Sequence, residues 1–155
     1  VNGVSEIEEL HTLLDKEGIH SIQNAMRHKE LAKLGDPLTN LLFSLAYSLH
    51  SNQFIGEKVS GKILAAALRY ANLRHLAPSR LDAHGLGDCV EAMIAYAWLQ
   101  GFFTISDAAT LLREQILRLD PGTRQTKAER LEIIAKTFSI FLHSIWEKEQ
   151  ADTSV

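Results

Sequence analysis

The stretch Gly87-Asp88-Cys89-Val90-Glu91-Ala92-Met93-Ile94-Ala95-Tyr96-Ala97-Trp98-Leu99-Gln100 decides the fold. From Asp88 onward it is apolar on nearly every side of a helix: Val90, Met93, Ile94, Trp98 and Leu99, with Ala92, Ala95 and Ala97 between them. A surface helix carries one apolar stripe, whereas a helix that is apolar all round has neighbours on every side. Residues 88–100 are therefore read as the central helix of the domain, opened by Gly85 and Gly87 and ended by Gly101.

Outward from this helix the periodicity stays helical. Ile7, Leu10, Leu13 and Leu14 mark a short amphipathic helix that stops near Gly18. A second helix spans residues 21–34. A third, over 38–50, repeats apolar residues at Leu38, Leu41, Leu42, Leu45, Ala46 and Leu49. A polar loop follows over 51–57, and Ser60 caps a helix through Leu73, its hydroxyl accepting from a free first-turn amide. Pro78 breaks that region. Ser106 is placed as the cap of a helix through Leu119, Pro121-Gly122 as a turn, and 126–147 as the last long helix. No stretch alternates as a strand would, and there is neither a repeat nor a linker. The expectation is an all-α protein, one domain over 1–150 with a polar tail at 151–155.

Composition agrees. At 155 residues and 46% hydrophobic the chain can bury one core, and 23% charged residues exclude wholesale disorder. The one cysteine, Cys89, excludes an internal disulfide framework and zinc sites built from cysteine pairs, and fits a reducing compartment. No basic-then-apolar leader opens the sequence, so the expected location is cytoplasmic. The 20 uncharged residues from Pro37 to Gly56 reach membrane-spanning length, but Asn40, His50, Asn52, Gln53 and several serines exclude a span.

Charge distribution carries the functional information. Besides the 37–56 run, the 24 residues of 83–106 hold only two charges, Asp88 and Glu91. At the average density the two segments together should hold about ten. Asp88 and Glu91 are three apart and share one side of a helix, where two carboxylates repel each other and lose solvation. A hard divalent cation relieves both problems, since Mg²⁺ takes a few carboxylate oxygens plus water and phosphate. A capping pair, with Asp88 after Gly87 and Glu91 at N3, is the alternative. Asp36 has the same two readings: it follows Leu34-Gly35 and, with Pro37 behind it, also suits a helix N-cap. Between the depleted segments, residues 58–80 carry Lys58, Lys62, Arg69, Arg74 and Arg80 and no acid. Lys58, Lys62 and Arg69 fall on one helical face, offset by four and seven. This +5 segment leaves −8 for the rest, so the net charge of −3 conceals a basic ridge suited to phosphate contacts. A merely solvated face normally intersperses acids.

These motifs together resemble the catalytic domain of ribonuclease III. The resemblance rests on Leu34-Gly35-Asp36 running into an apolar helix, and on Asp88-Cys89-Val90-Glu91-Ala92 running into Ile94-Ala95-Tyr96-Ala97-Trp98-Leu99 and Gly101, over about residues 28–115. With Leu31-Ala32-Lys33 before the first motif, it is nearest the compact, stand-alone ribonuclease III-like proteins of archaea. The resemblance implies an all-helical homodimer that hydrolyses double-stranded or structured RNA, with Asp36, Asp88 and Glu91 as the catalytic carboxylates and ligands of Mg²⁺ (or Mn²⁺). It implies RNA grip by Lys58, Lys62, Arg69, Arg74 and Arg80, since no separate RNA-binding domain is expected after Trp146. Two departures stand out. The family's glutamate four residues before its aspartate is replaced by Ala32, which reduces the ligand set and leaves Glu30, Asp82 and His84 as candidate substitutes. The compact bacterial branch also lacks that glutamate. Pro37 disfavours helix at Asp36 and is expected to kink the signature helix or shift its carboxylate. The rival expectations are a catalytically inactive RNA-binding or assembly module and a purely structural helical homodimer.

Overall fold

Asp82, rather than Gly87 or Asp88, starts the central helix: its Oδ1 accepts from the Gly85 N–H at 2.8 Å, the capping bond that satisfies a first-turn amide. The structure is a computed structural model and describes residues 6–153, apart from the side chain of Ile7, so that position of the first apolar stripe lies outside the described residues. In chain order the helices are α1 (Glu6–Lys16), α2 (Ile22–Ala25), α3 (Lys29–Ser51), α4 (Gly61–Tyr70), α5 (Ala83–Leu99), α6 (Ile105–Leu119) and α7 (Lys127–Thr153), with a 3₁₀ turn at Arg74–Leu76. The described residues contain no strand, and the all-α expectation is met. Helix α5 is buried from Leu86 almost continuously to Leu99 and packs against α1, α2, α3, α4 and α7. Helix α6 lies against α3 and α7, and α7 also covers α4.

The capping alternatives for Asp36 and Asp88 are both overturned. Helix α3 runs unbroken through Gly35-Asp36-Pro37, because its buried face continues at helical spacing: Leu31, Ala32, Gly35, Leu38, Thr39, Leu42, Phe43 and Ala46. Pro37 has no N–H for the Lys33 carbonyl, but both residues are exposed, so that carbonyl is open to solvent rather than buried without a partner. Packing on either side outweighs the local break. Helix α3 is instead capped by His28, whose Nδ1 accepts from the Leu31 N–H at 3.3 Å. The segment expected as one helix over 21–34 is thus the single turn α2, a connection, and the start of α3.

Gly85 and Gly87 lie inside α5, where glycine serves packing rather than a turn. A Cβ on Gly87 would stand 2.6 Å from the Gly61 Cα, so the start of α4 crosses α5 backbone to backbone. At the other end Gly101 takes a left-handed φ of +76°, and the Phe102 N–H bonds back to the Ala97 carbonyl, a glycine C-terminal cap. Ser60 caps α4 as expected, accepting from Ile63 at 3.2 Å, but α4 ends at Tyr70 and the chain turns through left-handed Asn72. Thr104, not Ser106, caps α6, because the helix begins two residues earlier. Helix α7 runs on to Thr153, so residues 151–153 are its exposed last turn. One long-range bond ties the ends of the chain: the buried Glu149 of α7 accepts from the Ile22 N–H at 2.8 Å, satisfying the start of α2.

Candidate functional site

Gly35 brings the site together. A side chain there would run into the backbone carbonyl of Glu91, with the Glu91 Cα 3.0 Å away, so α3 and α5 cross at a distance that only glycine permits. The residue after Gly35 is Asp36, and the residue it touches is Glu91. The close crossing therefore sets the two carboxyl groups in contact.

Glu91 is only 8% exposed on the central helix. Its pKa is pushed from the ordinary 4.5 up to about 8, first by burial, then by the contact with the Asp36 carboxyl, then by the negative charges of Asp36 and Asp88. No cation among the described residues offsets these effects. Glu91 thus favours its protonated form, and its carboxyl hydrogen-bonds to that of the exposed Asp36, whose Oδ1 accepts from Asn40 Nδ2 at 3.1 Å. Asn40 in turn accepts from the Val59 N–H at 2.9 Å, tying Asp36 to the approach to α4. Asp88, one turn back from Glu91 and with its side chain 37% exposed, lies 3.8 Å from His84 Nε2.

The three sequence-derived carboxylates are thus grouped, with Asp36 and Glu91 in contact and Asp88 near enough for its charge to be felt. They do not form a closed cage: among the described residues, no group of three or more His, Cys, Asp or Glu side chains is arranged to hold a metal ion. The chemistry of the facing pair nevertheless fits an oxygen-seeking cation, because Mg²⁺ binds through one or two carboxylates and keeps several waters. Of the candidate substitutes for the missing glutamate, Glu30 pairs with Lys33 at 3.0 Å on the outer surface, and one Asp82 oxygen is occupied as the α5 cap. His84 alone turns toward a site carboxylate. Position 32 itself is a buried alanine of the core.

The five basic residues are not one helical ridge. Only Lys62 and Arg69 lie on α4; Lys58 precedes it, because the chain is still extended there. Arg74 sits in the 3₁₀ turn, where its Nη1 donates to the Pro78 carbonyl at 3.0 Å and the Ala77 carbonyl at 3.4 Å. Arg80 lies in the loop before α5 with a left-handed φ of +61°. None of the five pairs with a carboxylate among the described residues, so their charge is not neutralised by the protein. The Gly87–Gly61 crossing places the Lys62 end of this series against the start of α5.

Sequence reasoning missed three contributors. Asn40 stands four residues after Asp36 and was legible as its partner only if the helix continued through Pro37. Arg27 and Lys29 line a cavity that Asp88 also lines, and nothing in their local sequence signals this.

A family model described as Ribonuclease III matches residues 29–151, a span that includes Asp36, Asp88, Glu91 and the five basic residues. Comparison with the curated proteins found no match. No helix among the described residues is long and apolar enough to cross a membrane.

Proposed function

The chain belongs to the ribonuclease III family, and from that premise we propose that it is a divalent-metal-dependent endoribonuclease that hydrolyses double-stranded or structured RNA as a homodimer. The observation that carries this reading is the contact between Asp36 and a buried Glu91 whose pKa no cation among the described residues lowers. A fold bears the cost of burying one carboxyl against another where a ligand supplies the missing positive charge.

In this reading Asp36, Glu91 and Asp88 hold Mg²⁺ or Mn²⁺, and the ion contributes Lewis-acid stabilisation of negative charge on the phosphodiester. A bound cation would favour the ionised form of Glu91. Asn40 fixes the Asp36 carboxylate, and the Gly35 crossing keeps it against Glu91. Lys58, Lys62, Arg69, Arg74 and Arg80 hold flanking phosphates, with affinity that falls steeply with salt.

Support for the homodimer comes from α3. Leu34, Leu41, Leu45 and Leu49 form an exposed stripe along it, and Phe54 just beyond its end is fully exposed. Together they present on the order of 500 Å² of apolar surface, against the roughly 800 Å² per partner of a standard interface. From Leu41 to Phe54 the stripe lies in the charge-free run 37–56, so pairing two copies along that part buries no ion.

The test is cleavage of end-labelled duplex RNA by purified protein in Mg²⁺ or in EDTA. Cleavage is expected only with Mg²⁺, and is expected to vanish in Glu91→Gln and Asp88→Asn variants whose circular dichroism is unchanged. Cleavage that survives both substitutions overturns the assignment. A second reading, an RNA-binding module without activity, is favoured by Ala32 and the absence of a three-ligand group among the described residues. It predicts salt-sensitive RNA binding in EDTA and no cleavage with any divalent ion.

A further inference from the structure

A cavity of about 300 Å³ opens beside Asp88, between the α2–α3 connection and the start of α5. Its floor is apolar, formed by Met26, Pro78 and Leu81, and its rim carries Arg27, Lys29 and His84 as well as Asp88. Arg27 and Lys29 are both exposed, and neither forms an ion pair among the described residues. The facing acids are already engaged: Asp82 caps α5 through Oδ1, and Asp88 lies beside His84. Asp88 therefore belongs to two places at once, lining the cavity while its charge reaches Glu91.

We propose that this cavity seats one nucleotide of the RNA strand next to the cleaved bond, its base or ribose on the Met26–Leu81 floor and its phosphate between Arg27 and Lys29. The proposal rests on the nuclease reading for the place of the cut, but the seat is a property of this chain's own residues. An apolar floor with unpaired cations on its rim suits a ligand that has a flat apolar part and an anion within a few ångströms of each other. Inorganic phosphate would use the rim and leave the floor empty. The volume falls at the lower end of small-molecule clefts, enough for one residue of a strand and not for a duplex. Arg27 and Lys29 thus set the strand's position relative to the acids, a positioning role at the rim of the cavity itself.

The experiment titrates the full chain, without added metal, with uridine 3′,5′-bisphosphate and separately with inorganic phosphate, read by amide NMR. The expected result is saturable shifts at Arg27, Lys29, Gly85 and Asp88 with the nucleotide, and at least tenfold weaker saturation with phosphate. An Arg27→Gln/Lys29→Gln variant should lose the shifts while keeping its melting temperature. Its duplex RNA affinity in EDTA should fall by about tenfold, with the salt slope lowered by one to two. Arg113→Gln on α6, exposed and outside the cavity, should change neither. Equal saturation by phosphate overturns the nucleotide seat, as do shifts that persist in the double variant. Shifts as expected in a protein that never cleaves RNA support the seat and defeat the nuclease reading. Cleavage with unchanged site choice and affinity in the double variant leaves the nuclease reading standing and overturns the seat.

Discussion

Replacing Glu91 with glutamine isolates what the buried carboxyl costs the fold. The side chain titrates near 4.5 in an unfolded chain and at about 8 in the folded protein. Below pH 4.5 both states hold the proton and no stability is lost. Between 4.5 and about 8 the unfolded chain has released it while the folded chain keeps it, so stability falls as pH rises. Above 8 the loss is complete. At roughly 1.4 kcal/mol per pH unit the ceiling is roughly 5 kcal/mol. Asp36 is exposed and can swing away, and solvent screens its charge, so about half of that, ~2–3 kcal/mol, is expected. Glutamine keeps the shape and carries no titrating proton. Between pH 5 and pH 9, in EDTA, the Glu91→Gln protein should therefore gain ~2–3 kcal/mol on the unsubstituted chain. For a chain of this size that is roughly 6–10 °C in melting temperature, measured by circular dichroism across the pH series. Mg²⁺ at pH 8 should recover the loss in the unsubstituted protein, by about 2.7 kcal/mol at a hundredfold excess over Kd, and leave Glu91→Gln unmoved. Parallel curves for the two proteins from pH 5 to 9 would refute the argument, since they would mean that Glu91 carries no excess proton in the fold.

Three other substitutions probe the architecture. Gly35→Ala inserts a methyl group into the Glu91 carbonyl and must force α3 from α5; a loss of roughly 3 kcal/mol or more is expected in denaturant melts, together with loss of cleavage. Thr137→Val removes a hydroxyl that is buried without a hydrogen-bond partner, so the melt should show a gain of about 1 kcal/mol and unchanged cleavage. Leu45→Glu puts a charge in the middle of the exposed α3 stripe, and light scattering should report a monomer where the unsubstituted chain gives a dimer.

The central position of α5 was legible because an all-round apolar helix can go nowhere else, and burial from Leu86 to Leu99 agrees. The grouping of Asp36 with Asp88 and Glu91 followed from the motif resemblance, and the depletion of charge around them had already set these acids apart. Helix starts were the weak point. Gly-Asp-Pro reads locally as a break and a cap, and the sequence offers no local sign that Leu31 to Ala46 would be packed as one face. That face was present as periodicity, but it competed with a strong local signal, and tertiary packing won.

The basic series shows the same division. That residues 58–80 carry five cations and no acid is a property of composition and survives any fold. Their arrangement as an interrupted series depended on where α4 begins and ends, which is decided by Gly61 meeting Gly87 and by the left-handed turn at Asn72. By itself the sequence determined an all-helical chain with one central helix, three candidate acids and a hidden basic segment, because periodicity and charge spacing are one-dimensional. Only the tertiary structure decided that Asp36 touches Glu91, that Arg27 and Lys29 join Asp88 around one cavity, and that an apolar stripe stays uncovered on α3. The first of these depends on how closely α3 and α5 approach, a distance set by the missing side chain of Gly35, and the others on which helices pack against which.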